Sequence, residues 1–494
     1  MVTLVFDCGC CYEGDAEPPK EVVSADAQYV FEPSLSIAVS SPVQPDMSLS
    51  PSSRTQTRLD SLKNLQLEKG MVRAVTLRKS LQQLGRLWRK PLLPMSQEQL
   101  MSLHSWSKPA TEYDYFLSHT WETPGHVKYL SLLTYSSHRF LMICWVLAVA
   151  LSWCLCLLEL LPFFGHVNPE ALRWRAPKPG CPTGPWIICA GFLSVIVGLL
   201  LAPHLPDSCS RSDLCFMDAA CIHQGDPVKK QQGIDAIAGF LSISQQLRIL
   251  WSPSYLSRLW CVFEIAAYRK VNPRGQLVLA PLFVERMVLI TLLGFYGIGG
   301  CIWTIGVMNY SSLAFALALS PCMLLIHALR RSATGKTKLL NELEHFNLSD
   351  TRCSLDADRE FVLAAIDRWY GSREAFTEYI RGPLRQDLLQ SATKISNSYV
   401  LLMCTPAISG MLEDQLSLWK AGAPFTGALA HFTGTVVGTY MLWIAFCVRV
   451  LISLCVFFAA TRRWLVLDYL LTLCIHVTVC GLAFAGDSVG GLAS

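Results

Sequence analysis

Tyr113-Asp-Tyr-Phe-Leu-Ser-His-Thr-Trp121 and, far down the chain, Leu214-Cys-Phe-Met-Asp218 each read as a short apolar strand running into polar groups. Between them lie two apolar stretches, 140–164 and 186–205, each long enough to cross a bilayer. If the two strands belong to one sheet, a transmembrane hairpin is inserted into a globular domain. Further elements follow in alternation. Residues 127–133, 228–242 and 255–268 have helical periodicity, and 247–251 and 277–284 read as two more strands. Such alternation predicts an α/β domain with a parallel sheet and helices on both faces. Functional side chains in such sheets gather beyond the carboxyl ends of the strands.

The rest of the chain is dominated by hydrophobic spans. Of its 494 residues, 52% are hydrophobic and 16% charged, where soluble domains carry about a quarter charged. This composition points to an integral, multipass membrane protein with the bilayer as its first partner. Stretches 287–308, 313–329, 436–460 and 464–485 bring the firm spans to six. Residues 400–411 are a doubtful seventh, short and interrupted by Pro406 and Gly410. Lys229, Lys230, Arg269, Arg330, Arg331, Arg462 and Arg463 place the α/β domain in the cytoplasm by the positive-inside rule. A net charge of +4 without a basic, aromatic-studded stripe gives no reason to expect nucleic acid. Of the 20 cysteines, many sit in apolar spans as small hydrophobes, and Cys8, Cys10 and Cys11 lack the second half of a zinc site.

The expected organisation is a disordered tail at 1–60, a basic amphipathic helix and linker at 61–110, and the α/β domain in two parts, 111–139 and 206–285. The hairpin insertion occupies 140–205, a second hairpin 286–330, a cytoplasmic helical segment 331–397, and a transmembrane region 398–494. In the amphipathic segment, Leu77, Leu81, Leu84 and Trp88 recur at helical spacing. They fit either a helix on an anionic membrane surface or one packed on the neighbouring domain.

Four motifs, Tyr-Phe-Leu-Ser-His at 115–119, Phe-Met-Asp at 216–218, Trp-Ser-Pro-Ser-Tyr at 251–255 and Trp-Cys-Val-Phe-Glu-Ile at 260–265, occur in the order found in the TIR family, which the chain resembles. With Ser118-His119-Thr120-Trp121 before a hairpin and Ile222-His223-Gln224 after the second strand, it looks like the multipass TIR-like proteins of dinoflagellate algae. The resemblance implies a flavodoxin-like sheet, self-association and signalling. It lapses after the fourth strand, because an apolar span begins where a fifth strand is expected.

In TIR enzymes that cleave NAD, a glutamate of the third helix acts at the ribose joined to nicotinamide, and the matching residue here is Glu264. A carboxylate suits that step because glycosidic cleavage builds positive, oxocarbenium-like charge. The bland alternative pairs Glu264 with Arg258 or Arg269. Ser118, His119, Trp121, Asp218 and His223 are the candidates for contacting a nucleotide. No cofactor is required, NAD being a substrate in this reading, and no metal-ligand spacing stands out. Ala333-Thr-Gly-Lys-Thr337 lacks the first glycine of a phosphate loop. Three functions compete: a membrane-held signalling or self-association module, an NAD nucleosidase using Glu264, and a transporter or channel with a regulatory TIR-like domain. Among the intramembrane charges Glu159, Arg449 and Asp468, Arg449 is the one that sequence position does not explain.

Overall fold

The computed structural model describes residues 55–493 apart from 57, 61, 63–66, 69, 90–94, 168–179, 207–211, 308–311 and 393–394. The expected disordered tail lies almost wholly outside the described residues. The chain divides into two compact units that interleave along the sequence. The α/β unit comprises Met1–Tyr129, Leu205–Leu282 and Lys338–Thr393, and the helical unit comprises Leu130–His204, Phe283–Thr337 and Lys394–Ser494.

The α/β unit holds a six-stranded sheet. Its strands are β1 (Arg73–Thr76), β2 (Lys108–Pro109), β3 (Tyr113–Ser118), β4 (Leu214–Phe216), β5 (Ser244–Trp251) and β6 (Gln276–Pro281), in the order β2-β1-β4-β3-β5-β6. The four parallel strands are those read from the sequence. β3 pairs with β4 in the register Phe116–Phe216, and with β5 in the register Phe116–Leu247. Taken in chain order they lie second, first, third, fourth, so the connection reverses direction once, beside β3, and leaves a crevice at the strand ends. β3 and β5 are buried because they are central, and their Val/Ile/Leu/Phe content reflects it.

The expectation of a wholly parallel sheet is corrected. β1 pairs antiparallel with β4, and β2 antiparallel with β1. Residues 73–76 were part of the expected amphipathic helix. They form a strand instead, since Ala74 and Val75 are both needed in the core. The helix that follows, Leu77–Gly85, breaks at Gln82–Leu84, where Gln83 and Leu84 take positive φ of 52° and 54°. Leu77, Leu81 and Trp88 are buried within the domain, while Leu84 is exposed. The single apolar stripe does not exist, and the packed alternative holds for three of its four members.

Both sheet edges are blunted. β2 is two exposed residues, a lysine and a proline, a device that discourages strand addition. Beside β6, where a fifth strand would lie, packs the helix Arg385–Ala392. The segment expected to be a separate helical stretch therefore belongs to the domain. Helix Asp356–Tyr370 packs on helix Leu259–Val271, with Phe361 and Trp369 each 5.7 Å from the Phe263 ring.

In the helical unit, five helices among the described residues are long and apolar enough to cross a membrane: Gly125–Leu157, Trp186–His204, Leu282–Ile305, Phe425–Phe457 and Leu465–Gly486. That is compatible with a multipass membrane protein. Stretch 313–329, expected as a span, lies on the helix Ser312–Glu344, which is not among the five and whose first part is only partly described. The doubtful 400–411 lies inside one continuous helix, Asn397–Lys420, whose side chains are mostly buried.

The charges are also redistributed. Arg449 is bonded to the Asn397 side chain at 2.5 Å in an exposed position. The buried ion pair is Arg330–Asp468, at 2.5 Å, with the Arg330 guanidinium also donating to Thr472 Oγ1 at 2.6 Å and to the Phe458 carbonyl at 2.9 Å. Removing one member of a buried pair strands the other. Asp468→Ala is expected to cost roughly 3–5 kcal/mol, and pairing it with Arg330→Met should recover most of that. Urea unfolding of the detergent-solubilised protein checks both, and a double variant as unstable as the single one would contradict the pairing.

Candidate functional site

The crevice at the carboxyl ends of β3 and β4 is lined by Phe116, Leu117 and Phe216 below, and by polar groups above. These are His119, Thr120 and Trp121 after β3, Asp218 after β4, and Arg258, Trp260, Cys261 and Glu264 from the start of the helix Leu259–Val271. The crevice is partly open to solvent.

Each polar group has an identifiable environment. Trp121 Nε1 donates to Asp218 Oδ2 at 2.8 Å, and the Ala219 amide donates to Asp218 Oδ1 at 2.7 Å. Burial opposes the charge on Asp218, but His119 beside it and the Trp121 and Ala219 donors outweigh burial and hold its carboxyl below the usual range. His119 Nε2 stands 3.6 Å from Asp218 Oδ1, beyond hydrogen-bond reach, and neither ring nitrogen of this buried histidine finds a hydrogen-bond partner among the described residues. Burial, aided by the nearby Lys128 charge, lowers the His119 pKa against the opposing pull of Asp218.

Glu264 does not pair with Arg258 or Arg269. Arg258 reaches Glu122 at 3.1 Å, and Arg269 reaches Asp387 at 3.2 Å. The Glu264 carboxyl instead accepts from the Ser118 hydroxyl, which also meets the Tyr255 hydroxyl. Glu264 is half-buried and faces the crevice, with its carboxyl deep among protein atoms. Burial pushes its pKa up to about 8, the Asp218 charge adds to the rise, and the Ser118 hydrogen bond opposes it. At neutral pH it is mostly a carboxylic acid, not the carboxylate that the sequence reading assumed.

The structure therefore brings Ser118, His119, Trp121, Asp218 and Glu264 together and leaves His223 out. His223 Nδ1 accepts from the Asp226 amide at 3.0 Å, and its ring lies 4.8 Å from that of His104. The sequence reading missed Lys128. Its ammonium is buried, donates to the Thr120 carbonyl at 3.0 Å and lies 4.5 Å over the Trp121 ring, a cation–π contact that holds the loop after β3. The only available signal was a single lysine at the polar start of a helix that turns apolar. Position 125, where the helix begins, needs glycine, since an added Cβ there would fall 2.1 Å from the Trp88 carbonyl oxygen. Among the described residues no cluster of metal-ligating side chains occurs. Compared with known proteins, the chain matches no family model, no curated protein and no solved structure.

The Glu264 pKa has a consequence for stability. In the unfolded chain this carboxyl titrates near 4.5, and in the folded protein near 8. The folded state thus binds the extra proton between these values. Its contribution to stability is complete below pH 4.5 and is lost as pH rises to about 8. Glu264→Gln keeps the hydrogen bond and removes the titration. Its stability relative to wild type should increase steadily from pH 5 to pH 8 in urea unfolding, and parallel pH curves would refute the burial argument.

Proposed function

We propose that this chain is a multipass membrane protein whose α/β unit is a TIR-like module that works by self-association in signalling. One observation carries the reading. The four parallel strands lie in the order second, first, third, fourth, and the motif residues Ser118, Asp218, Ser252 and Glu264 fall at or just beyond their carboxyl ends. The short, exposed β2 and the helix packed on β6 argue against strand addition as the mode of assembly and favour helix and loop faces. The full-length protein in detergent, mixed from isotopically light and heavy copies and cross-linked, should give mixed-isotope links between residues 111–129 and 206–282 of different copies. Monomers at every concentration would defeat the reading.

A second reading, cleavage of the nicotinamide–ribose bond of NAD, is favoured by the position of Glu264. A raised carboxyl in a crevice, next to a hydroxyl relay, is a common arrangement for acid–base work. NAD would be a substrate bound at the crevice. If this reading holds, purified protein releases nicotinamide from NAD, and Glu264→Gln lowers the rate about 10²-fold or more with the near-ultraviolet circular dichroism unchanged. A rate carried by the carboxylate should also climb as pH passes 8. No release under cross-linkable conditions leaves the association reading standing alone.

A further inference from the structure

Helix Asn397–Lys420 is unlike the five apolar helices around it in the helical unit. Thr405, Ser409, Glu413 and Ser417 follow one another at intervals of four residues, so they share one face, and all four are buried. The face meets polar groups from three of the candidate spans. Tyr296 OH bonds Thr405 Oγ1 at 3.3 Å, and Trp145 Nε1 donates to Ser409 Oγ at 3.0 Å. Gly191 makes room for them, since a Cβ there would lie 2.8 Å from both Ser409 Oγ and Tyr296 OH. One turn further, Glu413 Oε2 accepts from the Ile187 amide at 2.8 Å. Toward the other end, Glu285 accepts from Ser131 Oγ at 2.9 Å and from Tyr399 OH at 3.4 Å.

Hydroxyls at such spacing are ordinary helix–helix contacts. The carboxyl is not explained that way. Glu413 faces the first turn of helix Trp186–Leu201, where the Ile187 amide bonds Oε2 and the Gly184 and Ile188 amides lie close, a capping role that a neutral side chain also fills. Glu413 brings a second oxygen, Oε1, that has no hydrogen-bond partner among the described residues, on a side chain 1% exposed. An ionised carboxylate with a bare oxygen in such surroundings is costly, and a proton on Oε1 removes the cost. The titratable groups nearest to it are the Cys156 and Cys189 thiols of the two adjoining spans and the neighbouring Asp414.

From Tyr399 to Glu413 the helix rises about 21 Å, most of the roughly 30 Å hydrocarbon thickness. The one apolar break in the row, at Leu402 and Met403, coincides with Pro406. Proline deprives the Leu402 carbonyl of its helical donor, and the Thr405 hydroxyl takes that place at 2.8 Å.

We propose that the helical unit conducts protons across the membrane, with Glu413 as the carboxyl that binds and releases each proton and the Ser409–Thr405–Tyr296 hydroxyls and Glu285 as the remainder of the path. A proton entering at one end adds to Glu413 Oε1, and the same proton leaves toward the other end, restoring the carboxylate with no other bond made or broken.

The test uses full-length protein in liposomes loaded with a pH-sensitive dye, with a potassium diffusion potential as the driving force. Wild-type protein should acidify or alkalinise the lumen at least tenfold faster than protein-free liposomes, and Glu413→Gln should abolish the difference. A lipid-soluble carbodiimide should block wild-type flux and leave its adduct on Glu413 by mass spectrometry. Ser409→Ala and Tyr296→Phe should slow flux several-fold, and they decide the matter if Glu413→Gln does not fold. Flux equal to that of protein-free liposomes, flux unchanged in Glu413→Gln, or carbodiimide without effect would each overturn the proposal.

Discussion

Phe116 and Phe216 stack face to face, with centroids 4.4 Å apart and planes 15° from parallel, in paired positions of neighbouring parallel strands. Tyr113 meets Phe216 edge-on, and Phe240 packs against Phe216 with ring centroids 5.0 Å apart and planes 30° from parallel. The contact joins two chain segments separated by two apolar helices. Parallel pairing cannot be made by a tight turn and always needs a crossover. Here the crossover contains residues 130–204, which belong to the other unit. Without the apolar contact the β3 and β4 ends would not meet, and Trp121 and Asp218 would lie in unrelated segments.

The crevice shows how the same contact determines chemistry. Aromatic rings form its floor, so a polar group above it that lacks partners meets a cost for carrying charge. Asp218 is satisfied, with two good donors, and stays charged. Glu264 has a single hydroxyl, and it keeps its proton. His119, buried and without a hydrogen-bond partner among the described residues, has its pKa lowered. Burial acts on all three side chains, and the donors and charges beside each set them apart, an arrangement that suits acid–base work.

Three of the four parallel strands were legible because they are interior to the sheet, and β6, at its edge, because it is apolar along Leu277–Pro281. A buried strand must be apolar on both faces, and short apolar runs such as Leu247–Trp251 have little else to be. The antiparallel additions were not legible, because β1 is four residues and β2 only two. A strand that short is defined by its partner, and Arg73–Thr76 fits a helical pattern as well as an extended one. The crevice residues were found through the ends of the strands that carry them. Lys128 was missed because its role comes from the Trp121 ring folding over it, a contact that no spacing encodes.

The helical unit reveals a different limit. Average apolarity records how a helix would fare against lipid on every side, so it finds helices at the periphery. Asn397–Lys420 is surrounded by other helices, which relieves it of that requirement and leaves its composition free to be polar on one side. Pro406 and Gly410 made it look broken in sequence, yet the helix continues through both. The spacing that matters, 405, 409, 413 and 417, was present in the sequence throughout. Only the burial of all four positions distinguishes it from the solvent-facing polar stripe of an ordinary surface helix. A search for functional residues among membrane helices therefore gains more from the least apolar helix of the group than from isolated charges in the most apolar ones, and Arg449, exposed and bonded to Asn397, illustrates why.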